Sequence, residues 1–255
     1  MTHKNIYVLG ALLMLLLRNK PKISYLKCLV WCWSLLGLPQ AAFAQNKCSN
    51  WQVQFAYQWG EQVLCAEQWY KLASGDSIFI ENVKFYVGNV QMRGKGKELA
   101  TYKDNYLVDL QDSLSQRIVL CNVPDGVDTF CFDLGVDSLT NLSGARGGAL
   151  DPTKGMYWTW QSGYINLKIE GYSPLCATRK QTFQLHIGGY RTPYATLQTL
   201  SLAVGQERGK SSKTIFIDLK QLFSKIDLKT QHSIMIPGRD AHLIAQQFAQ
   251  IFSLE

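Results

Sequence analysis

Gln52-Val53-Gln54-Phe55-Ala56-Tyr57 alternates polar and apolar side chains, the period of a strand with one face buried. From there to the end of the chain, short β-rich runs recur between turn residues. Ser77-Ile78-Phe79-Ile80 leads into Val83-Lys84-Phe85-Tyr86-Val87, and residues 106–110, 164–169, 182–187, 197–202 and 214–219 read the same way. The clearest hairpin is expected where Arg117-Ile118-Val119-Leu120-Cys121 meets Pro124-Asp125-Gly126 and Asp128-Thr129-Phe130-Cys131-Phe132 returns, because Pro presets one turn dihedral and Gly accepts a positive one. Residues 66–72 read as helix or strand. At the carboxyl end Ala241, Ile244, Ala245, Phe248, Ile251 and Phe252 recur at helical spacing behind Asp240 as a cap. The predicted fold is all-β dominated, a β-sandwich with a C-terminal α-helix.

Composition narrows the function. The 255 residues carry 26 Lys+Arg against 19 Asp+Glu, a net charge of +7. Residues 1–44 hold Lys4, Arg18, Lys20, Lys22 and Lys27 and no acid, so they account for +5 and the body is left at +2. A near-neutral body is no footprint for nucleic acid.

The same amino-terminal residues read as a secretory signal. A short apolar run at 26–36 follows Arg18, Lys20 and Lys22 and precedes Ala42-Phe43-Ala44, with cleavage expected after Ala44. A second apolar stretch at 6–17 is explained either by a true start at Met14 or by a two-segment membrane anchor. Residues 45–255 are then one exported domain, periplasmic or at the cell surface, with no stable membrane span in the mature chain. Its cysteines are Cys48, Cys65, Cys121, Cys131 and Cys176, and Cys121 and Cys131, flanking the expected turn, are candidates for a local disulfide. The chain contains no zinc-type Cys-x-x-Cys pair, no His-Glu-x-x-His, no Gly-x-Ser-x-Gly and no phosphate-binding glycine loop, so nothing points to an enzyme.

The most unusual stretch is 141–164, in which a Gly-rich loop turns at Asp151-Pro152 and delivers Met156, Tyr157, Trp158 and Trp160 together. Trp158 and Trp160 share a parity opposite to that of Ile165, Leu167 and Ile169, so a bulge at Gly163 would be needed to re-aim them. Packing in a core is the ordinary fate of such rings. Of the four histidines, His186 shares its strand face with Thr182 and Gln184, against the apolar row of Phe183, Leu185 and Ile187. A hydrogen-bonded structural role and a metal-ligand role are both open to it. His232 and His242 flank Pro237-Gly238. Asp133, Asp137 and Asp151 supply carboxylates near the loop without the spacing of an EF-hand.

Leu134-Gly135-Val136-Asp137, Gly148-Ala149-Leu150-Asp151-Pro152, Gly155-Met156-Tyr157-Trp158-Thr159-Trp160-Gln161-Ser162-Gly163-Tyr164, Glu170-Gly171 and His186-Ile187-Gly188-Gly189 together resemble the MbnP family of copper-binding proteins. The resemblance runs from about Val53 through the final helix. It implies a periplasmic or surface β-sandwich that binds one copper ion, chiefly as Cu(I), in copper homeostasis. It further implies that Trp158 is oxidised to kynurenine by a partner di-haem enzyme related to cytochrome c peroxidase and MauG. Metal ligands would then be the modified Trp158 and His186, with His232 or Met156 as a further donor, and Trp160, Asp151, Gly155, Gly163 and Tyr164 support the motif. The first strand departs from the family pattern, since Ala56-Tyr57-Gln58-Trp59 offers no imidazole. Two other readings stand beside this one. One is a metal-free adhesion or glycan-binding module stacking sugars on Trp158, Trp160 and Tyr164; the other is a calcium-stabilised hydrolase built on the scattered carboxylates.

Overall fold

In the computed structural model, residues 50–160, 163–205 and 212–255 are described. The expected signal segment, Met14 and Cys48 lie outside them. In chain order the strands are β1 (Trp51–Trp59), β2 (Gln62–Val63), β3 (Gln68–Lys71), β4 (Ser77–Gly94), β5 (Lys97–Tyr102), β6 (Tyr106–Asp109), β7 (Arg117–Leu120) and β8 (Thr129–Leu134). They continue as β9 (Tyr157–Trp158), β10 (Gly163–Tyr172), β11 (Thr182–Gly188), β12 (Gln198–Ala203), β13 (Ser212–Asp218), β14 (Ser233–Ile234) and β15 (Phe252–Leu254). The helices are α1 (Ser138–Leu142), α2 (Leu219–Phe223) and α3 (Arg239–Ala249).

The alternation in β1 works as the sequence implies. Val53, Phe55, Tyr57 and Trp59 point inward while the residues between them do not. One edge of β1 runs parallel to β13, with Phe55 opposite Ile215 and Tyr57 opposite Ile217; the other is shared by β7 and β2. β15 closes the far side of β13, giving a five-stranded sheet. The second sheet is organised by the 18-residue β4, which pairs with β10 along its first half and with β8 along its second. Beyond these neighbours lie β11, β14 and β12. The two sheets and α3 enclose an aromatic core in which Phe55 meets Phe85 at 5.8 Å and Phe132 at 6.0 Å, while Phe248 meets Phe85 at 5.4 Å and Phe252 at 5.0 Å. These edge-on contacts add to the burial of the rings. The sandwich with its C-terminal helix is the architecture expected.

The ambiguous stretch at 66–72 holds strand β3. Three local expectations change. The expected hairpin at 117–132 is a corner between sheets, since β7 pairs with β1 while β8 pairs with β4 and β12. The strand after the turn is captured by the β4–β5 turn: Asp128 N–H donates to Arg93 O at 2.9 Å, and Asp128 Oδ2 accepts from Lys95 N–H at 2.6 Å. The disulfide expected between Cys121 and Cys131 is consequently not formed. Cys131 is a buried free thiol whose Sγ lies 3.2 Å from Ser201 Oγ on the neighbouring β12. Finally, α3 starts from Gly238, with Asp240 in its first turn rather than at the cap, and Phe252 belongs to β15. An acid there still favours the helix dipole. Among the described residues no helix is long and apolar enough to cross a membrane.

Candidate metal centre

A second, smaller apolar cluster sits on the outer face of the β4 sheet. It joins Tyr86, Val136, Leu150, Met156, Trp158, Tyr164 and Ile165. Tyr86 falls between the inward Phe85 and Val87 on β4 and so belongs to the opposite face. Ile165 reaches this cluster because the β10–β11 register shifts between Ile165 and Leu167, making Asn166 the extra residue. The bulge is therefore at Asn166, not at Gly163, which pairs with Trp158 in the β9–β10 ladder. Asn166 is locked there: its Oδ1 accepts from Val136 N–H at 3.0 Å and its Nδ2 donates to Thr196 Oγ1 at 2.9 Å. Gly135, at φ +114°, passes so close that a Cβ would lie 2.5 Å from Asn166 Cγ.

The loop over the cluster is shaped by short-range caps. Asp137 accepts from Thr140 N–H at 2.9 Å at the start of α1, and burial of its carboxyl is outweighed by the Thr140 hydrogen bonds, which lower its pKa. Asn141 donates to Val136 O at 2.9 Å and accepts from Tyr164 N–H at 2.9 Å, tying α1 to β10. Asp151 accepts from Thr153 N–H at 2.9 Å, and Gly155 closes that turn at φ +71°. Asp151 and Gly155 thus act on the loop's shape. Asp133 is occupied elsewhere, by Asn89 Nδ2 at 3.1 Å and by Thr199 Oγ1. The three carboxylates of the calcium reading belong to three separate networks.

Trp158 is buried in this cluster, and its six-membered ring lies on the backbone of β11. A Cβ at Gly188 would stand 2.7 Å from Trp158 Cζ3 and 3.0 Å from Cη2, so only glycine fits beneath it. Trp160 is 62% exposed, its ring centroid 5.8 Å from that of Trp158. Tyr164 is buried, so the three-ring stacking platform of a glycan-binding module is not formed.

His186 lies two residues before Gly188 on the same face of β11, level with Lys168 of β10. Its Nε2 is 2.8 Å from Glu170 Oε1, while Glu170 Oε2 is 3.2 Å from Lys168 Nζ. Burial raises the Glu170 pKa, but the hydrogen bond to His186 and the Lys168 charge outweigh it and bring the carboxyl down to about 2. An ionised carboxylate only accepts, so Nε2 faces it as the donor, and in the singly protonated tautomer the ring's lone pair lies on Nδ1. Among the described residues no hydrogen bond engages Nδ1.

The other candidate donors are not beside this imidazole. His232 turns its Nδ1 back to Leu228 O at 3.2 Å and uses its own carbonyl to accept from Gln184 N–H. His242, on α3, holds Ala195 O at 2.6 Å. Met156 is fully buried within the apolar cluster. Sequence reasoning missed Met235. β14 runs parallel to β11 with Ser233 opposite Gln184 and Ile234 opposite Leu185, a register that, continued by one residue past the end of the strand, would set Met235 level with His186. Pro237 continues this alignment, since a Cβ at Gly189 would lie 2.8 Å from Pro237 Cβ. Among the described residues no three His, Cys, Asp or Glu side chains converge as a ready metal cage.

The MbnP family model matches residues 49–236, most of the chain. The chain belongs to the MbnP family. The match ends at Ile236, so α3 lies beyond it, although the sequence resemblance was expected to include that helix. Among solved structures, MbnP from Methylosinus trichosporium aligns with a TM-score of 0.57 at 15% identity, over 82% of this chain and 98% of that one, which supports a shared fold. Among curated proteins no match is found. Trp158, Trp160, His186, Met156 and Met235 all fall within the stretch matched to MbnP.

Proposed function

We propose that this MbnP-family protein is an exported, non-enzymatic copper-binding protein of copper homeostasis. Its single Cu(I) site forms after a di-haem enzyme related to cytochrome c peroxidase and MauG oxidises Trp158 to kynurenine. The reading takes residues 1–44 as the signal and the periplasm or cell surface as the destination. One observation carries it: the Trp158 ring rests on the β11 backbone at Gly188, adjacent along the same face to an imidazole whose Nδ1 is engaged by no hydrogen bond among the described residues.

The donor chemistry supports the same reading. Intact indole offers an N–H and no lone pair suited to a metal, whereas kynurenine presents an arylamine nitrogen and a ketone oxygen. His186 would supply Nδ1, with Glu170 fixing the tautomer and ring orientation as carboxylates behind metal-binding histidines do. Met235, by register beside His186, would add a thioether, a soft donor matched to Cu(I). Lys168 neutralises Glu170 and keeps that carboxylate from acting as a ligand itself. When bound, Cu(I) takes such nitrogen and sulfur donors in preference to oxygen.

The test is to produce the chain with its di-haem partner and measure copper content together with peptide mass across 155–168. Near-stoichiometric copper and the kynurenine mass are expected for the unsubstituted protein, and no copper for Trp158→Phe. Full copper loading of Trp158→Phe would refute the assignment.

A further inference from the structure

Trp158 is 7% exposed, whereas Trp160 is 62% exposed, and their ring centroids are 5.8 Å apart with planes inclined at 45°. A partner enzyme docking on this face therefore meets the indole of Trp160 and not that of Trp158. Trp160 belongs to neither apolar cluster, so packing does not account for an indole held out in water. We infer that Trp160 is an electron relay through which a docked high-valent haem oxidises the buried Trp158. The inference rests on the kynurenine reading above.

Each relay event moves one electron from Trp158 to Trp160 and one from Trp160 to the haem, restoring Trp160. Conversion of indole to kynurenine takes up three waters and releases formic acid, four protons and four electrons. Two molecules of hydrogen peroxide at the haem accept those electrons and protons and leave as four waters. Over the sequence Trp158 is oxidised, peroxide is reduced, and Trp160 is unchanged.

The buried phenols of Tyr86 and Tyr164 do not compete for the electron vacancy. Tyr164 lies near Tyr157 and Tyr86, at centroid distances of 5.0 and 5.9 Å. The hydroxyls of Tyr86 and Tyr164 donate to the carbonyls of Ala149 and Gly144. A phenol gives up an electron readily only with its proton, and a carbonyl oxygen is too weak a base to take it. Burial also raises the pKa of both groups. Neither of these two phenols therefore draws the vacancy from the indoles.

The experiment compares the unsubstituted chain, Trp160→Phe and Trp160→Tyr, each incubated with the di-haem partner and peroxide, by peptide mass at position 158 over time. Kynurenine is expected in the unsubstituted chain, lost in Trp160→Phe and regained in Trp160→Tyr, since Tyr is redox-active and Phe is not. A purely structural role for Trp160 would make the two variants alike. Thermal melting of Trp160→Phe is expected to match that of the unsubstituted chain. Kynurenine formed equally fast in Trp160→Phe overturns the relay alone. No kynurenine in the unsubstituted chain overturns the functional reading and the relay with it.

Discussion

The two apolar clusters are built on different terms. The core between the sheets is larger and rich in phenylalanine, closed by strand alternation, with no carboxylate, imidazole or ammonium among its buried members. The cluster around Trp158 is smaller, contains two tyrosines and an indole, and lies near a partly exposed imidazole–carboxylate–ammonium row. The first holds the protein together by area removed from water. The second is held together largely by hydrogen-bonded caps and glycines, and that lets a reactive ring sit beside polar groups without being part of the main core.

If that division is right, Phe85→Ala has the largest effect. It removes a fully buried ring that touches Phe55, Tyr57, Phe248 and Phe252, and should cost about 3–5 kcal/mol in denaturant unfolding. Gly188→Ala comes next. The added methyl meets Trp158 and the Tyr164 carbonyl, so a loss of about 1–3 kcal/mol is expected. Unlike Phe85→Ala, it should also shift the Trp158 fluorescence in the folded state. A Gly188→Ala protein with unchanged emission would break the comparison.

Glu170→Gln sharpens it through pH. The folded-state pKa of Glu170 is depressed to about 2 from its ordinary 4.5, so its contribution is present above pH 4.5 and lost as pH falls towards 2. The unsubstituted chain should therefore lose stability across that window more steeply than Glu170→Gln, with a difference at neutral pH of about 1.5–3 kcal/mol. Parallel acid-unfolding curves for the two would refute the coupling. The smallest effect is expected from Asp137→Ala, which removes the cap of α1 at about 1 kcal/mol. Hydrogen exchange should show it as faster opening confined to 137–143.

How much of this was legible in the sequence follows from the same physics. The period in β1 was readable because one of its faces is wholly buried. The corner at 121–128 was misread because Pro124 and Gly126 mark a reversal of the chain without saying which strand claims either side. The parity of Trp158 and Trp160 was a sound clue, but the bulge that reconciles it lies at Asn166 and is held by Gly135, Val136 and Thr196, all distant in sequence. Met235 carried no local signal at all. The register that points it towards His186 comes from a parallel alignment of strands about 50 residues apart.

The parallel pairing of β1 with β13 has a consequence for how the chain matures. Phe55 and Ile215 are neighbours although about 160 residues separate them, so the earliest strand cannot complete its edge until the latest portion has been synthesised. Were the chain exported as proposed, it would carry that unfinished border throughout transit and settle into this topology only after release.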